Sequence, residues 1–155
     1  MKLGGIIVRF TKYKIELVKE SAVNYGGQDF SISSPFNLFQ AMCDIYHLDR
    51  QPEEVVYLIC VNTKNKIIGV HEVSRGSISA SILNIRELFK RAVVNNAAKI
   101  FIVHNHPSGS TKPSEADMQV TKKAQKAGEL LDIPLLDHII IGDDEYYSFK
   151  ENDQI

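Results

Sequence analysis

The sequence predicts an α/β domain, a mixed β-sheet flanked by helices, on three observations. The run Val55–Val61 is apolar and rich in β-branched residues, too continuously so for a half-exposed strand, which suits a strand buried on both faces, and Leu135–Ile141 reads as another buried strand. Ile85, Leu88, Phe89, Ala92 and Val93, and later Ala116, Val120, Ala124, Ala127 and Leu131, recur instead at helical spacing. From Val55 onward the elements follow the order β-β-α-β-α-β-β, which makes a sheet with helices packed against it.

In chain order, Gly5–Phe10 and Tyr13–Val18 are β-like stretches, followed by a turn at Gly26 and Gly27. Ser34-Pro35 opens a helix, with Ser as N-cap and Pro in the first turn, and Phe36, Phe39, Met42, Cys43 and Tyr46 on one face. The polar stretch from Asp49 to Glu54, interrupted by Pro52, leads into the Val55 strand. Residues 62–66 turn the chain, and Ile67–Val73 returns as the second arm of a hairpin. Ser74-Arg75-Gly76 breaks the pattern. Asn84, with Glu87 three residues on, is a capping-box-like helix start, and Asn95-Asn96 ends that helix. Lys99–Val103 is a short buried strand, Pro134 follows the next helix, and Tyr146–Phe149 is a last strand after the turn at 142–144.

At 155 residues the chain is one domain's worth, with a core around residues 50–150 and an N-terminal extension over 1–49 expected to pack on it. Hydrophobic and charged fractions of 44% and 24% are ordinary for globular proteins, and no apolar run is long enough to cross a bilayer. The apolar stretch near the N-terminus is too short for a signal peptide and is interrupted by Arg9, so a cytoplasmic protein is the expectation. A net charge of -1 and a pI near 6.5 lack the basic footprint of a dedicated nucleic-acid binder, so DNA is a partner that net charge does not indicate. Lys112, Lys122, Lys123 and Lys126 read as a solvated face. Cys43 and Cys60 sit in apolar segments without C-x-x-C spacing and read as buried free thiols. Composition and patterning do not set an oligomeric state.

The chemistry concentrates between Ile100 and Asp117. An apolar run ends in His104-Asn105-His106, a loop rich in Pro, Gly and Ser follows, and a carboxylate stands at the start of the next helix. On an extended segment His104 and His106 project to one side while Asn105 points away. Two imidazoles and the Asp117 carboxylate are three protein ligands, the number at which a catalytic zinc keeps its fourth position for water. Ser114, three residues before Asp117, also fits a plain helix cap, and the two readings agree because a cap fixes where Asp117 points.

The spacing His-x-His-Pro-x6-Ser-x2-Asp, as His104-Asn105-His106-Pro107 and then Ser114-Glu115-Ala116-Asp117, resembles the signature of the JAMM/MPN metalloenzyme family. With Leu136-Asp137-His138 and Ser148-Phe149 downstream, it resembles the RadC-type branch over about residues 50–150. The resemblance implies a JAMM/MPN-like fold, a cytidine-deaminase-like layered mixed sheet, with Zn2+ held by His104, His106 and Asp117. It implies that Ser114 stabilises the oxyanion and that a glutamate ahead of an apolar strand is the general acid/base. Glu54, just before Val55, fits that placement best. Glu72 in the second strand and Glu53 are its rivals. Asp137 and His138 match the RadC-type pattern without being family zinc ligands, which gives His138 a supporting role. His47 and His71 carry no signal above background.

The implied activity is hydrolysis of a peptide or isopeptide bond in a peptide or protein substrate by a zinc-activated water. Two other classes compete: a DNA-repair-associated nucleic-acid binder and a non-catalytic MPN-type interaction module. Longer RadC-type members have a helix-hairpin-helix region that this sequence does not spell, and degenerate interaction modules typically lose the ligands retained here. The letters His-Asn-His do not make an HNH nuclease, whose motif is dispersed. Zinc nucleobase deaminases require H-x-E and P-C-x-x-C, both missing from this sequence.

Overall fold

The computed structural model describes residues 8–27, 30–76 and 83–155. Its first regular element is helix α1, Pro35–Tyr46, which starts where Ser34 accepts the Asn37 N–H through its side chain at 3.2 Å. The helix ends at His47 in the left-handed conformation, and a 3-10 turn, Leu48–Arg50, leads toward the sheet. The buried line of α1 runs through Leu38, Ala41 and Met42, while the expected Phe36 is exposed and stands tilted against the rings of Phe39 and Tyr146.

Strand β1, Val55–Val61, is buried along its whole length, as a strand covered on both faces must be. It forms an antiparallel hairpin with β2, Ile67–Arg75, which extends two residues past the expected end. Helix α2, Ile85–Val94, begins with Asn84 accepting the Arg86 N–H at 3.0 Å. The reciprocal half of the expected capping box is missing, because the Glu87 side chain turns to Lys90 and Arg91 instead. Strand β3 runs Lys99–Asn105, helix α3 Glu115–Leu131, strand β4 Leu135–Ile141 and strand β5 Tyr146–Ser148.

The sheet order is β2-β1-β3-β4-β5, with β3 and β4 parallel and the other pairs antiparallel, so the sheet is mixed. Period-two alternation divides the core. Val56, Leu58, Cys60, Ile100 and Ile102 face Leu88, Phe89 and Ala92 of α2 and Val120 and Ala124 of α3. Val55, Tyr57, Ile59, Val61, Phe101, Val103, Ile139 and Ile141 face Leu38 and Met42 of α1. The result is three layers, α1 on one face of the sheet and α2 with α3 on the other. Cys43 and Cys60 are free thiols, and burial pushes each up to about 12.

The N-terminal expectation needs correction. Tyr13–Val18 is not a strand, and its side chains are exposed, because no strand edge among the described residues pairs with its backbone groups. Gly5–Phe10 lies partly outside the described residues, and the remainder, from Val8, is likewise irregular. Gly26 forms a bend at a positive φ of 67°, and Phe30 N–H donates to Gly27 C=O at 3.0 Å.

Candidate metal centre

The end of β3 is the centre of the site, and sheet register decides what it meets. His104 is paired with Val56 on β1 and Ile140 on β4, all on the face covered by α2 and α3. Counting back two residues from Val56 keeps the same face and arrives at Glu54. On α3, Asp117 and Thr121 are one turn apart and both turned inward, so the first turn of that helix closes the site from above.

Four side chains converge: Glu54, His104, His106 and Asp117 each offer one donor atom, and these atoms all lie within 4.8 Å of one another. His104 Nε2 is 3.1 Å from His106 Nε2 and 3.2 Å from Asp117 Oδ1, and His106 Nε2 is 3.4 Å from Asp117 Oδ2. Donors about 2.1 Å from a tetrahedral ion are separated by about 3.4 Å, so these separations are of the size such a site requires, with the two imidazoles each approaching a different Asp117 oxygen. Glu54 Oε1 stands farther off, 3.6 Å from His104 Nε2 and 3.9 Å from His106 Nε2. The residues therefore fit a divalent cation held by two imidazole nitrogens and a carboxylate, with a second carboxylate beside it.

Each donor is aimed by a second bond. His106 Nδ1 is 2.8 Å from Ser110 C=O, an acceptor only, so Nδ1 carries a proton and Nε2 faces the site. Ser110 is placed by a tight loop in which Gly109 N–H donates to His106 C=O at 2.9 Å and Gly109 takes a φ of 78°. A side chain at Gly109 would also collide with the Asp143 carboxylate. Asp117 is fixed by a full capping box: Ser114 Oγ accepts the Asp117 N–H at 3.1 Å, and Asp117 Oδ2 accepts the Ser114 N–H at 2.7 Å. Ser114 Oγ–H donates to the same Oδ2 at 2.6 Å, so its hydroxyl is engaged with Asp117.

The electrostatics follow from this crowding. Burial alone pushes the Asp117 carboxyl up, but its contacts with the His104 and His106 rings, with the Ser114 bond added, outweigh burial and hold Asp117 well below the usual carboxylate range. The bond to Asp117 raises His106 above the ordinary histidine value, against the opposing effect of burial, with Ser110 and the Glu54 charge adding to the rise.

The same geometry separates the glutamates. Glu72 pairs across the hairpin with Tyr57, whose side chain belongs to the α1 face, and its carboxylate binds Tyr57 Oη–H at 3.3 Å and Arg75 at 2.8 and 2.9 Å. Hydrogen bonds from Arg75 hold it below the usual carboxylate range. Glu53 is exposed and 3.9 Å from Arg75. Of the three, only Glu54 is in the metal group.

Two residues that sequence reasoning left out support the site. Asn105 turns away from the histidines as expected, but it is buried and works as a clamp. Its Oδ1 accepts the Val55 N–H at 2.8 Å, and its Nδ2 donates to Glu53 C=O at 3.0 Å and Gln51 C=O at 3.3 Å. These bonds pin the backbone on both sides of Glu54. Thr121 is buried beside Asp117 and touches His138. A polar residue between two histidines on a buried strand, and a Thr one turn after Asp117, were the available signals.

The Asp137-His138 pair sits behind the histidines. Asp137 accepts Ser148 Oγ–H at 2.6 Å and the N–H groups of His138 and Lys150 at 2.8 and 3.0 Å. Burial pushes its carboxyl up, with these donors pulling the other way. His138 is stacked on Phe149 with ring centroids 4.9 Å apart and planes 7° from parallel.

A groove of about 370 Å³, lined by Pro52, Glu53, Glu54, Gly76 and Pro107, opens beside the site. No helix among the described residues is long and apolar enough to cross a membrane.

Comparison with known proteins places these residues in context. The model of a RadC-like JAB domain matches residues 32–154. A UPF0758 protein of Caldanaerobacter subterraneus subsp. tengcongensis is 40% identical over 141 residues, covering 90% of this chain and 59% of the relative. UPF0758 proteins of Clostridioides difficile and Clostridium perfringens are 43% and 41% identical over 79% and 89% of this chain, and 52% and 60% of their own lengths. The chain thus spans a little over half the length of the curated relatives it matches.

Proposed function

The chain belongs to the RadC-like JAB domain family, and from that premise we propose that it is a metal-dependent hydrolase acting on a peptide or isopeptide bond. The observation that carries this reading is the cluster of His104 Nε2, His106 Nε2 and the Asp117 carboxylate at separations of 3.1, 3.2 and 3.4 Å, the two imidazoles each approaching a different Asp117 oxygen, with the Glu54 carboxylate set just outside it. His104, His106 and Asp117 would hold the ion, for which Zn2+ suits two imidazoles and one carboxylate. Bound there, it supplies Lewis acidity toward a carbonyl oxygen and a water molecule.

The remaining work belongs to the chain's own residues. Glu54 accepts the proton of the attacking water and returns it to the leaving nitrogen as the carbon–nitrogen bond breaks. The Asn105 clamp keeps that carboxylate in place on either side of the strand head. Ser114 Oγ donates to Asp117 in this structure, and as an oxyanion donor it exchanges that bond for one to the developing charge. The groove beside Glu54 admits the substrate chain. The intact donor set supports an enzyme over a non-catalytic interaction module.

Metal content and cleavage of a peptide library by the full chain and by Glu54→Gln test this reading. The expected result is zinc in both proteins, with cleavage falling by about 100-fold or more in the variant. Equal cleavage by the two proteins, or a wild-type chain that takes up no metal, overturns it.

A further inference from the structure

We propose that Thr121 and His138 form a buried relay that sets the tautomer of His104 and so presents its Nε2 lone pair to the ion. The inference rests on the metal-site reading above and extends it to two residues that touch neither ion nor substrate.

The directions follow from one acceptor that carries no proton. Thr121 Oγ1 lies 2.7 Å from Asp117 C=O, and only the threonine hydroxyl can donate across that contact. Having spent its proton there, Thr121 Oγ1 accepts from His138 Nδ1 at 2.7 Å, so His138 carries its proton on Nδ1. His138 Nε2 is then a lone pair, and at 2.8 Å it accepts from His104 Nδ1–H. The remaining nitrogen of His104, Nε2, is left unprotonated and faces His106 and Asp117. One carbonyl on the first turn of α3 thereby determines where the proton sits on a histidine of β3.

Burial keeps water out of the chain of bonds, since Thr121, His138 and His104 are each 1 or 2% exposed. The His138 ring cannot turn freely, because it stacks on Phe149 and its backbone is tied to Asp137 and to Phe149 N–H. Asp117 takes part twice, through its carboxylate as donor to the ion and through its backbone carbonyl as the start of the relay.

The test uses the full chain and two readouts. In the metal-free protein labelled with 15N-histidine, ring-nitrogen spectra assign each tautomer. His104 is expected with its proton on Nδ1, and Thr121→Val is expected to shift it toward a mixture. In a Zn2+ competition titration, Thr121→Val and His138→Phe bind about 10- to 100-fold more weakly, the range for a supporting partner of a ligand histidine. Thr121→Ser, which keeps the hydroxyl, and His138→Gln, which keeps an acceptor near the Nε2 position, restore most of that loss. His104 protonated on Nε2 in the wild type, or Thr121→Val with unchanged spectra and unchanged Zn2+ affinity, overturns the relay. A wild-type chain that takes up no Zn2+ overturns the metal reading instead, and the ring-nitrogen spectra still decide the relay.

Discussion

His104 and His106 stand one residue apart on β3 and aim the same nitrogen at the same point, yet they are held by different means. His104 is buried, and its far nitrogen bonds to His138, 34 residues away on the neighbouring strand. His106 is partly open to solvent, and its far nitrogen bonds to Ser110 C=O, four residues on in its own loop. One donor depends on sheet register and a buried polar network, the other on the local chemistry of a turn. The difference teaches which changes will damage the fold and which will damage only the site.

The largest expected effect is on metal binding and erases the contrast. Asp117→Ala removes the carboxylate between the two imidazoles and half of the capping box, and zinc retention by the purified protein falls below detection. Folding stability brings the contrast back. His104→Ala opens a cavity and leaves His138 Nε2 without its partner, a cost of about 3 kcal/mol in urea denaturation of the metal-free protein. His106→Ala, at the rim, costs less than about 1 kcal/mol in the same measurement. Equal losses in the two variants contradict the distinction between a buried and a loop-held ligand.

Asn105 sharpens it further, because this residue lies between the two and serves neither. Asn105→Ala leaves the Val55 N–H and the Glu53 C=O without their partner and costs about 1–3 kcal/mol. Zinc content stays at the wild-type level, while kcat falls by up to about 100-fold as Glu54 loses its fixed position. Retained turnover in this variant separates Asn105 from the catalytic geometry.

The pH dependence of zinc affinity gives the smallest change. His106 is raised above its unfolded value chiefly by Asp117, so its protonated form stabilises the metal-free fold below the unfolded value of about 6.5, and that stabilisation is lost as pH rises through the raised folded value. Zinc needs the same Nε2 without a proton, so apparent affinity climbs by about tenfold per pH unit below the raised value and flattens above it. In His106→Ala the part of the slope due to this proton disappears.

The sequence made the layers legible where burial was uniform. β1 announces itself because its run is apolar throughout, as a strand covered on both faces allows, and α1 and α3 announce their starts through Ser34 and Ser114. The candidate donors were legible because two imidazoles on alternate residues of a strand share a face. The choice between Glu54 and Glu72 was not, since it turns on hairpin register: Glu72 falls opposite Tyr57, on the face of α1. Thr121 and the Asn105 clamp were hidden for the same reason, because each bonds to a partner that only tertiary packing brings near. Tyr13–Val18 misled because a β-like stretch does not by itself supply a neighbouring strand.

The central claim is that three side chains hold the ion and a fourth serves the water beside it. Anomalous diffraction from a crystal of the full chain soaked in Zn2+ tests it directly. The account predicts one ion about 2.0–2.2 Å from His104 Nε2, His106 Nε2 and an Asp117 oxygen, with Glu54 separated from it by one water. An ion bound elsewhere, or one that takes Glu54 as a direct ligand in place of Asp117, contradicts it.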